Sequence, residues 1–207
     1  MEHTDHVEIE LLGWPPSGPA LRLDFRTFSY AGKFVMTTTG KAVIRGDTEI
    51  EGAAETKADN EGFPDGIDPS TFEDDVLAAV AFNEDRTDPE TLWLRYVTVH
   101  ADHRGRGLGA KLLAFVSGRA ESRGYERCRI AVNNPFAYEA AYRAGFAYTG
   151  RRTGIAELVL ERPGSRDPGT YGEGLGQFLD RELSAAEREF LDRKLGSEPP
   201  ETIDPPP

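Results

Sequence analysis

The stretch Val97-Thr-Val-His-Ala-Asp-His-Arg-Gly-Arg-Gly-Leu-Gly109 runs from an apolar, β-branched segment into a glycine-rich loop and then into a helical pattern. A helix N-terminus leaves several N–H groups without intrahelical acceptors and carries a positive partial charge. Glycines let an anion approach such a backbone with no Cβ in the way. Strand, glycine loop and helix in this order therefore make a phosphate-type site. The loop is not a P-loop, because no Gly-Lys-Ser/Thr closes it, and Gly105-x-Gly107-x-Gly109 lacks the dinucleotide-binding spacing. A plain tight turn between strand and helix would use the same residues.

The charge distribution bears on that choice. The 207-residue chain has a formal net charge of −12, yet residues 95–152 hold 11 bases against 4 acids. A strongly basic stretch inside an acidic protein fits an anionic ligand bound there. It also fits arginines that pair with acids elsewhere in the chain. Only five of the 24 basic residues are lysines. An acid-rich, lysine-poor composition fits life in concentrated salt, where surface self-repulsion is screened, although a GC-rich genome would also favour arginine.

The surrounding pattern supplies the elements that must position the loop. Residues 7–12 read as a strand and 14–19 as a turn. Residues 21–30 are ambiguous between strand and helix, 34–45 read as extended, and 46–70 form an acidic, glycine-rich loop. Residues 76–82 and 92–99 are apolar, β-forming runs joined by a hairpin at 83–90. A helix is expected over 108–122, ended by Gly124. Residues 129–132 read as a buried strand, then Asn134-Pro135 as a helix start with Gly145 at its far end. Residues 146–150 and 155–160 read as two more strands. The chain thus divides into a domain over 1–162 and an extension over 163–207. In the extension 164–176 is linker-like, Ser184-x-x-Glu187 is a capping box opening a helix to 195, and the acidic, proline-rich tail from 197 reads as disordered.

Three elements together resemble a known family. Arg104-x-x-Gly107-x-Gly109 after Val97-x-Val99, then Asn134-x-x-Ala137, then Gly145-Phe146, resemble the motifs of the GNAT superfamily of N-acetyltransferases, clearly over 92–160. The resemblance implies an α+β fold with a mixed, mostly antiparallel twisted sheet of six to seven strands flanked by helices. It implies that the backbone of Arg104, Gly105, Arg106, Gly107, Leu108 and Gly109 holds the pyrophosphate of acetyl-CoA. The main chain of Val97 and Val99 would pair with the pantetheine arm like an added strand, with Asn134 beside it. Asn134 is also sufficiently explained as a helix cap.

Direct attack of a neutral primary amine on the thioester follows, with the Val99 N–H as candidate oxyanion donor. A tyrosine four residues before the Gly-Phe pair often protonates the leaving thiolate in that family. Here the place is Ala141, so Tyr142 is the first candidate and Tyr138 the second. A plain core aromatic explains either one equally well. A strand glutamate often serves as base, but Trp93 stands there, which leaves Glu157 or a water chain. His100 and His103 read as surface residues and Cys128 as a small core residue. The acidic run 59–75 could draw a cationic amine, or be a solvated loop.

Apart from acetyl-CoA and a small-molecule or protein amine, no partner is implied. No residues have metal-ligand spacing. The negative net charge argues against nucleic acid, no apolar run spans a membrane, and one cysteine with no secretory leader fits a cytoplasmic monomer or homodimer. A reading of another class is an acyl-CoA-binding sensor or scaffold without catalysis, consistent with the missing carboxylate and displaced tyrosine.

Overall fold

The computed structural model describes residues 7–46 and 68–207. Most of the acidic loop expected over 46–70 lies outside the described residues. Among them, seven strands form one sheet: β1 (Glu8–Gly13), β2 (Gly40–Arg45), β3 (Val76–Glu84), β4 (Thr91–Val99), β5 (Arg127–Val132), β6 (Ala147–Arg152) and β7 (Leu158–Arg162). Their order is β1-β2-β3-β4-β5-β7-β6. β4 and β5 run parallel, and the five other adjacent pairs are antiparallel. Four α-helices accompany the sheet: α1 (Leu108–Glu121), α2 (Pro135–Arg143), α3 (Pro168–Gly176) and α4 (Ala185–Lys194). This is the mixed α+β architecture expected. No helix among the described residues is long and apolar enough to cross a membrane.

Both sheet faces are covered. On one, α1 buries Leu108, Leu112, Phe115 and Val116 against Val80, Phe82, Leu92 and Leu94. On the other, the irregular segment between β1 and β2 lays Leu21, Leu23, Phe28 and Phe34 over Val43, Val76, Ala79 and Ala81. Residues 21–30, ambiguous in sequence, are neither helix nor strand. Their apolar side chains plug a sheet face while the Leu21 N–H bonds the Phe34 carbonyl at 3.0 Å.

The feature that matters most for function is a bulge. Ala81 pairs with Tyr96 and Phe82 with Leu94, so Arg95 is an extra residue on β4. Side chains alternate along a strand, and one inserted residue shifts the alternation by half a period. Leu92 and Leu94 therefore face the helix layer, and so do Val97 and Val99 beyond the bulge. Tyr96 turns to the opposite core. The pairing of β4 with β5 stops at the same place, its last register being Leu94 with Ile130. The two strands fork there.

The C-terminal extension differs from its sequence expectation. The linker-like 164–176 contains α3, started by Asp167, whose carboxylate accepts from the Thr170 N–H at 2.9 Å, with Pro168 next. Tyr171, Leu175 and Phe178 are buried in the main core. α4 opens on the expected capping box at Ser184 and Glu187 and packs on α2, through Phe190 on Phe136 and Lys194 on Glu139. The tail is not detached from the domain. The Ile203 N–H bonds the Arg143 carbonyl at 2.9 Å, Arg166 bonds the Pro200 carbonyl at 2.5 Å, and Pro205 lies against Gly118 of α1. Proline-rich chain has little conformational entropy left to lose, so it can be laid down without a regular ladder.

Candidate functional site

The fork gives β4 a free backbone edge. The His100 N–H donates to the Leu77 carbonyl at 2.9 Å, toward β3. Backbone groups alternate direction along a strand, so the N–H and C=O of Val99 and Val97 point the other way. That side has no β5 partner beyond Leu94. Arg104 confirms the direction, its Nε approaching the Val99 carbonyl at 3.4 Å. Beyond Leu94, then, the backbone of Val97 and Val99 faces the side on which β5 has parted from β4.

The glycine loop stands at the end of this slot. Gly105 has φ 80° and Gly107 has φ 78°, a region that residues with a Cβ rarely adopt. Gly107 is the N-cap of α1, and it offers no side-chain cap. The first helical bond of α1 runs from Lys111 to the Gly107 carbonyl. The N–H groups of Leu108, Gly109 and Ala110 thus have no helical acceptor and face outward with the positive end of the helix dipole. His100 stabilises the entry to the loop. Its Nδ1 accepts from the Asp102 N–H at 3.3 Å and caps the short turn Ala101–His103. His103 is buried rather than a surface residue.

Charge concentrates at the same spot. A guanidinium nitrogen of Arg143, in the last turn of α2, lies 3.7 Å from where Gly107 would carry a Cβ. Within the basic stretch two sets of arginines differ in what they face. Arg127, Arg129 and Arg151 are committed to Asp88, Asp85 and Glu161. Arg104 and Arg143 are aimed at the slot and the cradle. Arg143 was not singled out from sequence. A base in the last helical turn is common for dipole reasons alone, and only the folded arrangement brings it to residue 107.

Asn134 does what its cap position predicts, accepting from the Ala137 N–H at 2.8 Å. Its amide also donates to the Asn133 side chain at 3.1 Å, and Asn133 in turn donates to the Tyr30 hydroxyl at 3.1 Å.

The two tyrosine candidates lie in the core. Tyr142 is fully buried, its hydroxyl oxygen accepting from the Tyr148 N–H at 3.0 Å. Tyr138 is fully buried too, and donates to the Tyr171 carbonyl at 3.1 Å. Their rings and that of Tyr171 pack together, with centroids 4.7 to 5.8 Å apart. Burial pushes both hydroxyls above the ordinary phenol value, since a buried phenolate loses its hydration. Glu157 sits just before β7, in a turn closed on itself: its carboxylate accepts from the Thr153 hydroxyl at 3.2 Å, and its N–H donates to the same oxygen. Cys128 is buried, its thiol pushed up to about 11 by desolvation. Among the described residues no cluster of His, Cys, Asp and Glu is arranged to hold a metal ion.

The chain is similar in structure to an N-acetyltransferase from Staphylococcus aureus Mu50 (17% identity, TM-score 0.41, 59% of this chain and 66% of that one). It is also similar to the PaiA N-acetyltransferase from Thermoplasma acidophilum in complex with coenzyme A (16%, TM-score 0.36, 42% and 54%). A third is the IAA acetyltransferase from Bacillus cereus ATCC 14579 (16%, TM-score 0.46, 75% and 97%). The chain thus spans just under two thirds and about half of the first two, and likenesses this distant add nothing to the geometry. No curated protein matches the chain. Residues 47–146, just under half of the chain, match the Acetyltransferase (GNAT) family, a span that includes the fork, the glycine loop and α2.

Proposed function

We propose that the chain transfers an acetyl group from acetyl-CoA to a primary amine. The observation that carries this is the β4 backbone at Val97 and Val99, which has no strand partner on the β5 side among the described residues and leads directly to a helix N-terminus with two positive-φ glycines. The amides of pantetheine suit such an edge as a strand would. Phosphates suit the free N–H groups of α1, with Arg104 and Arg143 beside them. The match of residues 47–146 to the acetyltransferase family supports the same conclusion.

The thioester supplies an activated acyl carbon. As the amine nitrogen bonds to it the C–S bond breaks, and the proton shed by nitrogen balances the thiolate. The Val99 N–H, pointing into the slot, donates to the carbonyl oxygen as charge develops there. On β4 the place of a carboxylate base is taken by Trp93, and Glu157 is tied to its own turn. The acceptor therefore loses its proton to water at the open mouth of the fork. Tyr142 and Tyr138 are sealed from solvent. We assign them to packing and leave the thiolate to be protonated from water.

The test is thiol release from acetyl-CoA with an amine panel, run beside calorimetry of coenzyme A. Binding with amine-dependent release supports transfer. Binding without release from any amine would leave a sensor or scaffold, and no binding would remove the assignment of the fork.

A further inference from the structure

The face opposite α1 and α2 carries a site that the coenzyme slot does not use. The cradle lies past the C-terminal end of β4, so an arm laid along Val99 and Val97 runs back toward the bulge. Its thioester, held at the Val99 N–H, then lies beside Thr98, which shares a strand face with Tyr96, and Tyr96 faces the irregular segment between β1 and β2.

Five observations meet there. The Tyr30 and Tyr96 rings stand 5.8 Å apart, tilted by 39°. Tyr30 has φ 61°, a conformation rare for a residue with a Cβ, and is 49% exposed; such outliers persist where surrounding structure enforces them and concentrate at ligand sites. Its hydroxyl is held by Asn133, at the end of β5 and across the fork from Val99. Lys33 stands over the Tyr96 ring, 5.9 Å from its centroid. Finally, the Thr98 hydroxyl, on the same strand face and only 4% exposed, has no hydrogen-bond partner among the described residues. A buried hydroxyl without a partner is costly, and a ligand N–H would satisfy it.

An open hollow of about 520 Å³ adjoins Tyr30, lined by Phe25, Phe28, Ser29, Tyr30 and Lys33 among others. Among the described residues it offers aromatic faces and one ammonium.

We propose that Tyr30, Tyr96, Lys33 and Thr98 form the acceptor site, and that it takes a primary amine with a flat aromatic body and a carboxylate. The ring lies against Tyr30 and Tyr96, the carboxylate meets Lys33, and the amine turns toward the fork, one N–H on Thr98. This rests on the acetyl-transfer reading of the fork and names its acceptor class.

Three amines separate the possibilities, using the full chain and saturating acetyl-CoA: 4-(aminomethyl)benzoate, benzylamine and spermidine. The expected order of kcat/KM is as written, the carboxylate contributing about ten-fold as a charge-assisted contact does. Lys33→Ala should erase the advantage of the carboxylate, lowering kcat/KM about ten-fold for 4-(aminomethyl)benzoate and by clearly less for benzylamine. Tyr30→Ala should raise KM for both aromatic amines and leave acetyl-CoA affinity unchanged. Preference for spermidine, or equal effects of Lys33→Ala on the two aromatic amines, overturns the proposal. So does calorimetry in which acetyl-CoA binds but 4-(aminomethyl)benzoate does not. Failure of acetyl-CoA itself to bind would remove the assignment of the fork, and with it this one.

Discussion

A Cβ placed on Gly174 of α3 would collide with the hydroxyl and ring of Tyr138 on α2. The two helices approach this closely because residue 174 has no side chain, and the phenol fills the space one would take. Gly174→Ala therefore sets two effects against each other. Alanine gains roughly 0.5–1 kcal/mol in a helix, and overpacking a buried ring costs about 1–3 kcal/mol. The ring is enclosed by Tyr142, Tyr171 and Phe178 and cannot step aside. The expected outcome is a lower Tm, by about 2–4 °C for each net kcal/mol in a chain of this size, with acetyl-CoA affinity retained. An unchanged or raised Tm in a thermal melt would show that the α2–α3 contact is looser than described.

Gly107→Glu should abolish acetyl-CoA binding. It puts a Cβ at φ 78° and a negative charge beside the free N–H groups of α1. Arg143→Ala should weaken binding by about ten-fold, as loss of one charge-assisted contact does, and should reduce the salt dependence of the remaining affinity. Calorimetry at two ionic strengths reads both. Undiminished affinity in Gly107→Glu would mean that the phosphates lie elsewhere.

Tyr142→Phe should leave kcat unchanged and lower stability by about 1–3 kcal/mol, because the buried N–H of Tyr148 loses its acceptor. Steady-state kinetics and a denaturant melt decide the matter together. A ten-fold or greater fall in kcat with unaltered coenzyme affinity would make Tyr142 the acid after all, with a path from its hydroxyl to the slot.

Cys128 should be silent toward thiol reagents at neutral pH in the native state and react once unfolded. Its thiol is raised from 9.0 to about 11 by burial, so the folded chain holds this proton more tightly than the unfolded one. The stabilisation is fully present below pH 9 and is lost as pH rises from about 9 to about 11. Comparing Cys128→Ala with the parent across that range should show a flatter decline in the variant. Rapid labelling at pH 7 would contradict the burial of this side chain.

The parts legible in sequence share a physical character: they depend on local chemistry. The β4 run, the glycine cradle, the Asn134 cap with Pro135 and the Ser184 capping box are each fixed by a few adjacent residues. What sequence missed depends on distant partners. α3 looked like a linker because Gly169, Gly172, Gly174 and Gly176 have poor helix propensity, and the use of Gly174 is the close approach of Tyr138. The tail looked disordered by composition, yet it docks through Ile203 and Pro205 on α2 and α1. Tyr142 had suitable spacing for chemistry but an interior position. Arg143, Asn133 and Tyr30 carry no local signal, since only the fork brings them near Val99.

The bulge at Arg95 has a further consequence when the gene is considered. β4 is two half-strands spliced out of phase, and a single residue keeps them so. Loss of the codon for Arg95 would join Leu94 directly to Tyr96, whose partners Phe82 and Ala81 are already adjacent on β3. Every other side chain of β4 would keep its face, and the ladder would run on without a bulge. A bulge bends its strand, so the change would fall on the fork: a regular β4 has nothing to turn it from β5 beyond Leu94, and the backbone of Val97 and Val99 would be drawn into pairing there. Substitution at this position is a matter of degree, whereas a one-codon deletion would close the donor slot and leave the aromatic face in place. Changes in loop length are therefore to be expected on either side of β4 and not within it.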